Sequence, residues 1–284
     1  MQCRSVGVSI TASIALAAVV LLGPACGGHG QASDGPPTVE QHAYAREVPV
    51  PAVSAAAEPP APACPMGMTL VDGMHCPVVE HKCLHWLDPP GKYQFFRCAE
   101  YAKEATACKA SRVHKRYCID VDEQGATAAD PRPANHVTYT MAKNACEARG
   151  ARLCTESEFE FACEGEELRP YPYGWSRDAT ACNVDRESVV TPNKKAIYDL
   201  RRKAGDDPRC VSPFGVRNLA GNLEEWVSRD RHELHTKSTL LKGSWWLKGR
   251  HTCRATNGGH DDWYQGTETG YRCCANAAAS KTVD

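Results

Sequence analysis

The stretch Phe214-Gly-Val-Arg-Asn-Leu-Ala-Gly-Asn-Leu-Glu-Glu-Trp226 crowds two glycines, two asparagines and two carboxylates between apolar anchors. It is too rich in glycine for a helix interior and too polar for a buried strand. It reads as a shaped loop leading into a short element that ends at Trp226. Such a loop has two uses. Its asparagine side chains can satisfy its own backbone in a turn. Alternatively, oxygens from Asn218, Gly221, Leu223 and Glu225 can converge on a hard cation such as calcium. The residues alone favour the turn.

Further segments agree with this one in order. Arg152-Leu-Cys-Thr-Glu-Ser-Glu-Phe-Glu-Phe-Ala-Cys163, Tyr171-Pro-Tyr-Gly174, Leu241-Lys-Gly-Ser-Trp245 and Gly270-Tyr-Arg-Cys273 are spread over the second half of the chain. With the Gly-Asn-x-x-Glu-Trp-like loop, these landmarks resemble the formylglycine-generating enzyme family, also called sulfatase-modifying factors. One such motif is weak and five in order are specific. The resemblance implies an α+β domain of the formylglycine-generating enzyme fold, related to C-type lectins, loop-rich and stapled by disulfides. It implies calcium on Asn218, Gly221, Leu223 and Glu225, which makes the metal the better reading of the loop. A second calcium is implied at Asn183 and Val184. The resemblance also implies two structural bridges, Cys146 with Cys273 and Cys163 with Cys253. Cys154 with Cys274 and Cys182 with Cys210 are the further pairs expected.

The start of the chain is of another kind. Arg4, the apolar run from Ile10 to Leu22 and Gly23-Pro-Ala-Cys26 form a secretory signal, residues 1–26, too short to span a membrane. A cysteine after small residues resembles a bacterial lipidation site, although Gly23 stands where leucine is usual. Lipidation of Cys26 is expected, with an ordinary cleaved signal as the alternative. Residues 27–63 are rich in proline and alanine and form a tether that cannot bury enough apolar surface to fold. Residues 64–116 read as a cysteine-rich N-terminal part and residues 117–278 as the sulfatase-modifying-factor-like domain.

Sixteen cysteines are present; with Cys3 and Cys26 set aside, an even number remains. In an exported chain this is a disulfide framework. Cys64, Cys76, Cys83, Cys98, Cys108 and Cys118 are expected to pair among themselves, with connectivity open. No Cys-x2-Cys knuckle supports structural zinc, and the His232/His235 pair reads as a surface loop. A net charge of −1 gives no basic field for nucleic acid.

Local patterns place a strand at residues 117–121 and a helix at 141–149 capped by Thr140. A second helix starts at Glu156 behind a Thr155/Glu158 capping box and turns Phe159, Ala162 and Cys163 inward. Residues 239–246, 252–255 and 270–274 read as strands of one sheet. Cys273 and Cys274 point to opposite faces there, so each needs its own partner.

The resemblance implies an oxidase that turns cysteine into formylglycine with a cysteine pair and copper, in the segment after Gly-Ser-Trp. Here that segment reads Ser244-Trp-Trp-Leu-Lys-Gly-Arg-His-Thr-Cys253. Ser244 is kept, but no cysteine precedes Cys253, which matches a bridge position. Thiolates are the soft ligands cuprous copper needs, so copper is not expected and no residue is assigned a catalytic role. His251 reads as a surface residue. Glu224 stands where the family has tryptophan. The expected function is a cell-envelope binding module for a glycan, peptide or protein, on an exported, lipid-anchored protein of the periplasm or cell surface. An active oxidase and a purely structural envelope protein are the alternatives. A cleft lined by Trp245, Trp246, Trp263 and Tyr264 would favour binding.

Overall fold

The computed structural model describes residues 62–91, 93–231 and 239–279. The signal with Cys26, nearly all of the tether, and His232 and His235 lie outside the described residues. Strands β1 (Met68–His75), β2 (Val79–Glu80), β3 (Cys83–Trp86), β4 (Cys98–Tyr101) and β5 (Ala107–Cys108) make up the N-terminal part. Next come β6 (Val113–Asp120), helix α1 (Tyr139–Glu147), β7 (Arg152–Leu153) and helix α2 (Glu156–Glu164). The last elements are β8 (Glu224–Ser228), β9 (Thr239–Lys242), β10 (Thr256–Asn257), β11 (Thr269–Gly270) and β12 (Cys273–Asn276).

Two four-stranded sheets carry the fold, in the orders β1-β6-β12-β7 and β10-β9-β8-β11. The boundary drawn at residue 116 from the sequence runs through β6, which pairs along its length with β1. The cysteine-rich part therefore shares a sheet with the rest of the domain. Residues 239–246, 252–255 and 270–274 do not form one sheet: residues 252–255 are a turn ahead of β10; β9, β10 and β11 lie in the second sheet, and β12 lies in the first. The chain crosses between sheets at Tyr271 and Arg272, where two very short strands leave room for a turn.

Both helices start at side-chain caps. Helix α1 begins two residues earlier than its pattern suggested, because Thr138 rather than Thr140 accepts the Met141 N–H. Helix α2 has the expected capping box, with Thr155 and Glu158 satisfying each other's backbone. Its burial differs from the expected single inner face, since all nine residues are buried. One side meets the core of Val71, Tyr117, Ile119, Leu219 and Leu240. The other is covered by the N-terminal part and by three cations. Glu160 accepts from Lys242 at 2.8 Å and Arg231 at 2.7 Å, and Glu164 takes a two-point bond from Arg254 at 2.6 and 2.8 Å. Arg231 and Arg254 also donate to the Pro77 carbonyl, tying this charge ladder to the N-terminal part.

Seven disulfides close the structure. Cys146 joins Cys273, Cys163 joins Cys253, Cys154 joins Cys274 and Cys182 joins Cys210. The N-terminal six pair concentrically, Cys64 with Cys118, Cys76 with Cys108 and Cys83 with Cys98. The adjacent Cys273 and Cys274 reach different helical regions, as opposite faces of a strand require. The Cys146–Cys273 bond spans 127 residues, and a loop of that size is worth on the order of 4 kcal/mol in lost unfolded-state entropy. Such a framework marks a chain that folds in an oxidising compartment outside the cytosol. Among the described residues no helix is long and apolar enough to cross a membrane.

His75, at the end of β1, is 2% exposed and sits edge-on to Phe161 at 5.6 Å. Burial lowers its pKa to about 4, helped by Arg254, Lys115 and Arg231 and opposed by Glu160. The unfolded imidazole takes a proton near 6.5 and the folded one refuses it. Stability is therefore full above pH 6.5 and falls as pH drops from 6.5 toward 4. His75→Phe keeps the ring and removes the proton site. Melting curves of the two proteins between pH 7.5 and 4.5 are expected to show a smaller fall in Tm for the variant; parallel curves would contradict the assignment.

Candidate functional site

The loop at residues 214–226 is built from left-handed turns. Asn218, Gly221 and Asn222 have φ of +57°, +80° and +61°. A Cβ on Gly221 would stand 2.4 Å from the Asn183 carbonyl oxygen, so only glycine fits there. The Asn222 N–H donates to that carbonyl at 3.0 Å. This packs the Asn183–Val184 segment onto the loop.

One buried carboxylate organises the loop from within. Glu123 accepts from Asn222 Nδ2 at 2.5 Å, Leu223 N at 3.1 Å and Asn218 Nδ2 at 3.3 Å. Burial, with Glu225 close by, pushes its carboxyl up to about 8. Glu225 is fully buried and both its oxygens accept from Arg272, at 2.6 and 2.7 Å. Asn183 Oδ1 accepts from Arg186 at 2.8 Å, and its Nδ2 donates to Asn222 and to the Leu200 carbonyl.

These contacts bear on the calcium expected at Asn218, Gly221, Leu223 and Glu225, and at Asn183 and Val184. A cation site needs oxygens converging on one point. Here N–H donors converge on a carboxylate, and the side-chain oxygens of Glu225 and Asn183 face guanidinium groups. Among the described residues no group of three or more His, Cys, Asp or Glu side chains is placed to hold a metal. As arranged, the side-chain oxygens of Glu225 and Asn183 are engaged by arginines rather than turned toward a shared ion.

Strand β8 sends its neighbouring glutamates to opposite fates. Glu225 turns into the core, while Glu224 lines an open cleft of about 310 Å³. Glu224 Oε2 accepts from Asn257 Nδ2 at 2.9 Å, and burial pushes its carboxyl up to about 7. Ser244 and Trp245 line the same cleft, just past β9, where Gly243 and Ser244 both have positive φ. Phe96, from the N-terminal part, forms another wall, with the Arg250 guanidinium 5.2 Å from its ring centre. Of the four aromatics whose presence in a cleft would favour binding, only Trp245 lines this one. Trp246 is fully buried and stacks edge-on to Trp245 at 5.0 Å. Trp263 is 72% exposed, and Tyr264 lies against His260. His251 is buried rather than on the surface, with Nε2 on the Leu247 carbonyl at 2.8 Å. The sequence reading missed Phe96 and Asn257. Only the replacement of tryptophan by Glu224 hinted that the cleft had changed.

Every cysteine among the described residues is in a disulfide, including Cys253 at the end of the segment behind the cleft. No thiolate is left there for copper, so the site does not fit that metal.

Residues 82–277 match the Sulfatase-modifying factor enzyme 1-like domain. The chain is 27% identical over 164 residues to the Bos taurus protein named inactive C-alpha-formylglycine-generating enzyme 2, covering 51% of this chain and 50% of that one. The Mus musculus protein of the same name is 26% identical over 168 residues, covering 52% of this chain and 51% of that one. The chain thus spans about half the length of the curated relatives it matches. The crystal structure of CarF shares the fold, with a TM-score of 0.51 at 12% identity over 75% of this chain and 98% of that one. Ordered landmarks, two linked sheets and a match over most of the folded part agree: the chain belongs to the sulfatase-modifying factor family.

Proposed function

We propose that this protein is a non-catalytic member of its family, a cell-envelope binding module that uses the cleft at Ser244 and Trp245 to hold a glycan, peptide or protein partner. Lipid on Cys26 anchors it and residues 27–63 hold the domain away from the membrane. The observation that carries the reading is the cysteine inventory. Oxidation of a substrate cysteine by this family's route needs free thiolates. The described cysteines are all bonded, and Cys253 is bonded to Cys163. The mammalian relatives named inactive fit the same reading. An open cleft with unspent polar groups supports binding over a purely structural role, for which closed packing of those rings would be expected.

The copper-treated protein, incubated with a sulfatase-motif peptide and oxygen, is expected to give no aldehyde by mass spectrometry and no titratable thiol in residues 62–279. Turnover that disappears in Cys253→Ser would overturn the reading. For the anchor, cells fed a labelled fatty acid are expected to label the wild type and not Cys26→Ser; equal labelling or none in both removes the lipid from the proposal.

Calcium has no part in this proposal. With Glu225 held by Arg272, excess EDTA is expected to leave Tm within about 1 °C of its starting value, since only an ion bound to the folded state stabilises by linkage. A fall of several degrees, reversed by calcium and absent in Asn218→Ala, would show that the loop exchanges its arginine for the ion.

A further inference from the structure

The cleft keeps hydrogen-bonding groups of both signs unspent. No hydrogen bond among the described residues engages Ser244 Oγ, Trp245 Nε1 or Glu224 Oε1, while Asn257 fixes the other Glu224 oxygen at 2.9 Å. An acceptor, an N–H donor and a hydroxyl that can serve as either therefore stand beside two aromatic rings, Trp245 and Phe96. An aromatic ring offers an apolar face, and tryptophan adds a polar edge.

Three features narrow the ligand. The volume, about 310 Å³, is at the small end for ligand sites. It has room for about one or two sugar rings. The strand nearest the cleft, β10, is two residues long. A peptide adding itself as a further strand needs a longer free edge. The cations at the rim are already occupied: Lys248 pairs with Glu187 at 3.0 Å and Arg250 lies over Phe96. The rim therefore carries charges of both signs and no field of one sign that would select an ionic ligand.

We propose that the cleft binds a pyranose unit of a neutral oligosaccharide, one ring face against Trp245 and its hydroxyls shared among Glu224, Ser244 and the indole N–H. The inference rests on reading this cleft as a binding site. It needs no metal, because the hydroxyl partners are side chains. Glu224 is the specificity-determining group: a carboxylate oxygen accepts from a hydroxyl where the tryptophan of the family pattern could not.

Calorimetry of the purified protein against cellotetraose, maltotetraose and chitotetraose, with and without EDTA, tests it. At least one saccharide is expected to bind equally well with and without EDTA. Trp245→Ala is expected to weaken that binding by about tenfold or more, and Glu224→Gln by about three- to tenfold. Near-UV circular dichroism checks folding, and Glu224→Gln carries the test should Trp245→Ala lose its signal. No binding of any of the three, or binding indifferent to the folded variants, overturns the proposal. A parallel selection of random displayed peptides separates the two readings. Peptides captured by wild type and not by Glu224→Gln would overturn the sugar while keeping the cleft as a binding site. Silence in both arms would overturn both.

Discussion

The buried pair of Glu225 and Arg272 holds the two sheets to each other. Glu225 belongs to β8 of the second sheet, and Arg272 lies in the crossing between β11 and β12. The same guanidinium donates to the Asp120 carbonyl at the end of β6 and to the Arg217 carbonyl at the start of the glycine-rich loop. One side chain thus satisfies a carboxylate and two main-chain acceptors from three segments that meet only in the folded state. Loss of either partner would leave the other buried without its two-point bond, a defect of about 3–5 kcal/mol. The loop geometry, the floor of the cleft and the sheet crossing all rest on this contact.

A second buried electrostatic layer explains why the N-terminal part belongs to the domain. Glu156, Glu160 and Glu164 run down one side of α2, a face that water would ordinarily cover. Lys242, Arg231 and Arg254 neutralise it, and the concentric disulfides hold the first strands over it. Covering that face has a consequence at the surface. The hairpin β3–β4, closed by Cys83–Cys98, ends next to the cleft and supplies Phe96 to its wall. The N-terminal part therefore both seals the core and shapes the site.

Fold does not settle chemistry, so the site is read from its own groups. Gly243 and Ser244 both have positive φ where the chain turns along the cleft. The cysteines among the described residues are all in bridges, and Glu224 lines the opening. The result is a polar, aromatic recess without a reactive thiol.

Much of this was legible in the residues. The capping box at Thr155 and Glu158, a shaped loop around Gly221, and separate partners for Cys273 and Cys274 follow from local geometry that a few neighbouring residues dictate. Tertiary structure decided what those neighbours face. Periodicity placed Phe159, Ala162 and Cys163 on one side of α2, but it could not show that strands from the N-terminal part and three cations would bury the other. Two adjacent glutamates look alike in a sequence. Strand alternation and an arginine 47 residues away made one a core ion pair and the other the floor of a cleft. The oxygens read as calcium ligands were of the right type and spacing. Glu225 met Arg272 through packing between distant segments, which no local pattern records, whereas Asn183 met Arg186 only three residues along.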